Sequence, residues 1–248
     1  MTDESSNQLS MKARAIIVKI SNACRDASVR RFELRADRTF QFRAGQWIDA
    51  FVPPQIGGFS FLSMPSRAAE DGTFELAVQK THNPPAVWMH EVASEGTQFD
   101  FQVGGDWFLD TDEAIEQPKN LLLIAGGVGL VPIHSICLTA LHESSRFRVH
   151  LLYSTKSTET SLFDQDFELL RHNDRFSFKR FLTSENAEID GENDVNRRIS
   201  ENDLKKAVDL FDNDDITAFL CGPPLFADSM ATSLQQFDNV NVRYEKWW

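Results

Sequence analysis

Short runs of alternating apolar and polar residues fill the first part of the chain, at 15–20, 29–36, 47–52, 74–78, 98–103 and 107–109. A period of two sends successive side chains to opposite faces, so each run reads as a half-buried β-strand. Gly45, Pro53-Pro54, Gly57-Gly58, Asp71-Gly72, Glu95-Gly96 and Gly104-Gly105 punctuate the runs as turns. Six short strands so punctuated predict an antiparallel six-stranded β-barrel over residues 11–111. One helix is expected within it, at 84–93, with Pro84 at its first position.

Beyond residue 111 the pattern changes. The acidic, proline-containing stretch 112–118 reads as a linker, and a run of apolar residues at 120–125 follows. Helix at 131–142, strand at 148–153, helix at 163–172 and strand at 177–183 come next. A charged loop at 184–198 precedes helix 201–211, strand 216–221, helix 225–236 and a last strand 240–245. Strand–helix alternation at this spacing predicts a parallel sheet covered by helices, an α/β nucleotide-binding domain over residues 118–248. The chain is therefore read as two-domain.

Composition narrows the function. With 248 residues the chain is long enough for two cores, and its formal charge of −12 disfavours a nucleic-acid partner, which needs a positive field. The three cysteines, Cys24, Cys137 and Cys221, are far apart, so neither a disulfide framework nor a metal site is expected. No apolar stretch approaches the roughly 18 residues of a membrane span, so no membrane partner is expected. The polar start Met1-Thr2-Asp3-Glu4-Ser5 has neither a secretory nor a transit-peptide pattern.

Candidate chemistry sits at two turns. Leu121-Leu122-Leu123-Ile124-Ala125 is apolar throughout, as a strand buried on both faces must be, and Gly126-Gly127-Val128-Gly129 follows it directly. Leu130, Val131 and Pro132 then open a helix whose N-terminus suits a diphosphate. Cys221-Gly222-Pro223-Pro224 repeats the arrangement after the apolar run 216–220. Two such turns at carboxyl strand ends of one parallel sheet mark that edge as the ligand side.

These turns, with Tyr244-Glu245-Lys246-Trp247-Trp248, resemble the ferredoxin–NADP reductase superfamily over nearly the whole chain from Lys12. Gly57-Gly58-Phe59-Ser60, Asn83-Pro84-Pro85-Ala86, Val103-Gly104-Gly105 and the Glu-Lys-Trp-Trp ending are most similar to a small eukaryotic branch of it. The resemblance implies a flavin-binding barrel, an NAD(P) domain and hydride transfer between nicotinamide and flavin. It also implies roles. Ser60 would bond the flavin N5 region, Cys221 would lie beside the nicotinamide C4, and Glu245 would complete this catalytic cluster. Phe59 would stack on one flavin face, and Trp247 or Trp248 would cover the other. Taken singly, each residue has an ordinary structural reading; their joint occurrence at matching positions favours the functional one.

The chain departs from the superfamily pattern on the flavin side. Arg-x-Tyr-Ser is expected where Gly57-Gly58-Phe59-Ser60 stands, and Gly-x-x-Ser/Thr where Pro84-Pro85-Ala86 stands. A guanidinium, a phenol, a hydroxyl and two N–H donors are lost together. Lys80, His82 and Arg67 are the nearby cations that can substitute, and Lys80 is taken as a cofactor-binding candidate. On the nucleotide side Val128 replaces a frequent threonine, and Tyr153-Ser154-Thr155-Lys156 has no acid to grip a ribose 2′-OH, so NAD and NADP both fit.

The expectation is an NAD(P)H-dependent oxidoreductase using FAD, or a loosely held flavin, to pass electrons to an unknown acceptor. The alternative is an NAD(P)-binding sensor or scaffold that has lost flavin. Eukaryotic relatives point to mitochondria, and the polar start points to the cytoplasm or to a trimmed matrix form.

Overall fold

The computed structural model describes residues 12–53, 55–111, 119–142, 146–184, 187–189, 191–212 and 214–246. Two compact units divide the chain, with the boundary at Thr111–Asp112. The predicted linker at 112–118 lies outside the described residues.

The first unit is barrel-like. Its elements are β1 (Ala13–Asn22), β2 (Val29–Ala36), β3 (Trp47–Val52), β4 (Gln55–Ser60), α1 (Pro65–Asp71), β5 (Thr73–Gln79), α2 (Pro84–Glu91) and β6 (Gln98–Gly104). The strands pair antiparallel in the order β4-β3-β6-β1-β2-β5. A bridge between Phe61 and Leu76 brings the chain after β4 onto β5, and the Leu62 N–H donates to the Glu75 carbonyl at 2.8 Å. Those contacts curl the two edges together. Phe32, Phe42, Phe61, Phe74, Phe99 and Phe101 belong to the core. The Phe42 and Phe61 rings stack at 3.7 Å, while Phe40 meets Phe74 edge-on at 5.3 Å. Large rings fill an interior that a small barrel leaves too narrow for solvent.

The sixth strand is not the predicted one. Residues 107–109 form no strand; β4 takes that place, pairing along its full length with β3 from Trp47↔Ser60 to Val52↔Gln55. Gly105, at φ +95°, turns the chain out of β6, and the Trp47 indole fills the space beside it. Leu109 continues as extended chain held by a bond from its N–H to the Ala44 carbonyl, 2.8 Å. Helix α1 was not anticipated either, and α2 ends at Glu91 rather than at 93.

The second unit comprises β7 (Lys119–Gly126), α3 (Leu130–His142), β8 (Phe147–Thr155), α4 (Asp164–Leu170), β9 (Phe176–Leu182), β10 (Asp194–Val195), α5 (Glu201–Asp209), β11 (Ile216–Gly222), α6 (Pro224–Leu234) and β12 (Val240–Lys246). All neighbouring strands are parallel, in the order β10-β9-β8-β7-β11-β12. Leu122, Ile124, Ala218 and Leu220 pack with residues of α5 and α6 in one cluster. Leu121, Leu123 and Cys221 are equally buried and point to the opposite face, where right-handed crossovers place α3 and α4. No helix among the described residues is long and apolar enough to cross a membrane.

The charged segment at 184–198 contains β10, where an uninterrupted loop was expected. Arg180 on β9 explains it. Its guanidinium donates to both carboxylate oxygens of Asp194 at 2.8 and 2.7 Å, and to Asp164 at 2.9 Å. The Asp194 side chain is only 2% exposed, so the bidentate pair fixes β10 beside β9 from within the fold. A similar arrangement starts α5. The Asp203 carboxylate accepts from the Ser200 N–H (2.9 Å), the Ser200 hydroxyl (2.6 Å) and Arg197 (2.9 Å). The Arg197 bonds, followed by those from Ser200, hold this carboxyl well below the usual carboxylate range against its burial.

Arg180→Met takes the bidentate guanidinium from the buried Asp194 carboxylate and is expected to cost roughly 3–5 kcal/mol in urea unfolding. Arg171→Ala, which removes an exposed pair with Glu168, is expected to cost less than about 1 kcal/mol. Equal losses would show that the Arg180 pair carries no special weight. For Asp203, a lowered folded-state pKa means stability that is fully present above the unfolded value near ~4 and fades as pH falls through the folded value. Asp203→Asn should therefore cost roughly 1–3 kcal/mol at neutral pH and remove part of the acid-side decline measured below pH ~4.

Candidate functional site

The parallel sheet has one point where its winding reverses. From β7 the chain crosses through α3 to β8 on one side, and from β11 it crosses through α6 to β12 on the other. The carboxyl ends of β7 and β11 therefore flank a crevice with no connection across it, the place where ligands bind in such sheets. Both predicted turns lie there.

Residues Gly127–Gly129 form a single 3-10 turn that runs directly into α3 at Leu130. The glycines divide their work. A Cβ on Gly129 would fall 2.4 Å from the Cys221 carbonyl oxygen, and one on Gly222 would fall 2.7 Å from the Phe226 ring. Gly126 faces the same ring, at 2.9 Å. These three let the ends of β7 and β11 close up on each other. Gly127 is different: it has φ +55°, and a Cβ there would meet nothing within 4 Å. It is the glycine of the turn that borders open space, and a backbone free of side chains at a helix N-terminus is what a diphosphate needs. Leu130 and Val131 are buried, so any contact they make to a ligand is through backbone. Pro132, in the first turn of α3, sacrifices no helix hydrogen bond.

Cys221 ends up between two strands, opposite Ala125 on β7 and opposite Glu245 on β12. It is fully buried, so its thiol is not a solvent-reachable nucleophile. Lys246 pairs in register with Gly222, and its ammonium bonds Asp228 on α6 at 2.7 Å, which raises its pKa and ties β12 to that helix. Pro223 precedes α6 and Pro224 starts it, fixing the exit of the turn. Phe226, which packs on both Gly126 and Gly222, was not singled out from the sequence; its only signal was an aromatic two residues past a Gly-Pro-Pro turn.

The flavin-side candidates belong to the barrel. Ser60 closes β4 opposite Trp47 and is almost wholly buried. Phe59 is 8% exposed and packs in the barrel core, its ring 2.9 Å from where a Gly57 Cβ would be. Lys80 donates its N–H to the Ser28 carbonyl at 2.7 Å and places its ammonium 3.8 Å from Glu91, at the carboxyl end of α2. Arg67 bonds the buried Glu75 at 3.1 Å, which Arg31 also holds. The structure thus brings together Gly126–Gly129, Cys221–Pro224 and Glu245 in one unit. Trp247 and Trp248 lie outside the described residues.

The oxidoreductase NAD-binding domain family matches residues 123–232, which include both turns. Oxidoreductase NAD-binding domain-containing protein 1 of Danio rerio is 36% identical over 243 residues, covering 89% of this chain and 87% of its own length. Among solved structures, the Amycolatopsis cytochrome P450 reductase GcoB superposes with a TM-score of 0.78 at 21% identity, over 95% of this chain and 69% of that one. The flavohem-like FAD/NAD-binding domain of nitric oxide dioxygenase from Vibrio cholerae gives 0.76 at 17% identity, over 95% and 99%. At these identities the two structures speak for the fold.

The two kinds of glycine predict different failures. Gly127→Ala should fold, with a left-handed-region penalty of roughly 1–2 kcal/mol, and weaken NAD(P) binding about tenfold or more in calorimetric titration. Gly129→Ala should instead unfold the second unit or lower its Tm sharply. A Gly127→Ala protein that binds NAD(P) normally would remove the turn from the site.

Proposed function

The chain belongs to the family of oxidoreductase NAD-binding domain-containing protein 1, and from that premise we propose that it oxidises NAD(P)H by hydride transfer to a flavin. The observation that carries this reading is the open Gly127 turn beside a strand end where Cys221 stands opposite Glu245. The positive φ of Gly127 accounts for a glycine there, and the open space beside it, at a helix N-terminus on the winding reversal, supports the ligand-binding reading.

In this reading the backbone of Gly127–Val131 holds the diphosphate, and Gly222 with Pro223 lets the nicotinamide end approach the carboxyl end of β11. Bound nicotinamide supplies a hydride, two electrons with one proton, and a second proton from solvent completes reduction of the acceptor flavin. Cys221 sets the floor on which the ring rests, and Glu245 offers a carboxylate beside it. Ser60 is the hydroxyl proposed to face the flavin. The end of β8, Ser154-Thr155-Lys156, carries no acid, so both NADH and NADPH serve as donors.

A second reading, a nucleotide sensor without electron transfer, draws support from the buried Phe59. Loss of absorbance at 340 nm on mixing protein, NAD(P)H and riboflavin, FMN or FAD decides between them. The expected result is saturable oxidation, with Cys221→Ala slowing it by about tenfold or more through a misplaced ring while NAD(P) affinity hardly moves. Tight NAD(P) binding without oxidation would establish the sensor, and an unaffected Cys221→Ala variant would remove that residue from the mechanism.

A further inference from the structure

The fold family implies a flavin dinucleotide whose diphosphate rests against β4 and the N-terminus of the helix after β5, here α2. The residues present do not fit it. We infer that α2 closes this cradle, so that the adenylate-diphosphate half of a flavin contributes nothing to binding and flavin is a diffusible substrate, not a resident FAD. The inference rests on the proposed function only in taking a flavin as the acceptor.

Three observations carry it. A Cβ on Gly57 would lie 2.5 Å from the Cβ of Pro85, so no side chain fits at that position, least of all the guanidinium that the family pattern places there. The obstacle is the Cβ of a helix residue, whose place is set by the backbone and which no rotamer can withdraw, and the Phe59 ring lies 2.9 Å away beside it. Next, the helix has almost no donors to offer. Pro84 and Pro85 have no N–H, and the Val87 N–H is bonded to the Asn83 carbonyl at 3.0 Å. That leaves Ala86, which is itself only 6% exposed. An anion-binding helix terminus needs several free N–H groups converging on one point. Finally, α2 is locked where it lies. Ala86 and Met89 are part of the barrel core, the His90 ring bonds the Val78 carbonyl at 2.8 Å, and Arg30 bonds the His90 carbonyl at 2.7 Å. Lys80 pairs with Glu91, at the end of α2 away from the prolines.

The test compares riboflavin, FMN and FAD by fluorescence titration of the purified full chain. Dissociation constants within about threefold of each other are expected, with no absorbance near 450 nm in the protein as purified. FAD binding more than about threefold tighter than riboflavin, or stoichiometric FAD surviving gel filtration, overturns the inference. If none of the three binds, the diffusible-flavin inference falls together with the flavin-acceptor reading, whereas tight FAD binding overturns the inference and leaves that reading standing. A Pro84→Gly/Pro85→Ser variant restores donors and should favour FAD over riboflavin by about tenfold or more, the worth of one charge-assisted hydrogen bond. An unchanged ratio in that variant, shown by circular dichroism to be folded, removes the prolines as the cause.

Discussion

The ends of β7 and β11 are held at a separation that leaves no room for a side chain at Gly129, where a Cβ would sit 2.4 Å from a carbonyl oxygen. Much of the second unit depends on that closeness. It sets the α3 N-terminus directly over the strand that carries Cys221, and through the β11–β12 register it brings Glu245 to the same level. Move the strands apart by the width of a methyl group and the turn would no longer share a wall with the Cys-Gly-Pro-Pro segment. Backbone contact, not side-chain chemistry, defines this site; its glycines are structural requirements before they are binding elements.

The two units use the same device to opposite ends. In the parallel sheet, absent side chains leave Gly127 facing free space. In the barrel, the absent side chain at Gly57 is filled by the protein itself, through Pro85. Both prolines and both glycines look alike in a sequence. Only packing tells a cradle from a plug.

That distinction explains how far the sequence could be read. The second unit was legible because a strand buried on both faces must be apolar throughout, as Leu121–Ala125 is, and because Gly-Pro-Pro after such a strand has few other readings. The barrel was legible as five strands of six. β4 was hidden because Gly57-Gly58 after a proline pair signals a turn, whereas full-length pairing with β3 overrides that local preference. Residues 107–109 have strand-like side chains but lack a partner strand, since Gly105 has already redirected the chain. β10 is two residues long and owes its place to Arg180, fourteen residues away in sequence, a contact no local pattern displays. For the site, position in the motif was readable and exposure was not: Phe59 holds the place of a stacking aromatic in the motif yet lies in the barrel core.

The contact between Gly57 and Pro85 also limits how this barrel can change. Any side chain introduced at 57 collides with Pro85, while replacing Pro85 alone leaves the Gly57 position without a charge. A change at 57 alone is thus sterically blocked, and a change at the prolines alone restores N–H donors but no guanidinium, so the full anchor needs changes on both β4 and α2, with the Phe59 ring moved as well. The contact acts as a ratchet in sequence space: once formed, it makes the route back to a resident dinucleotide far narrower than the route away from it.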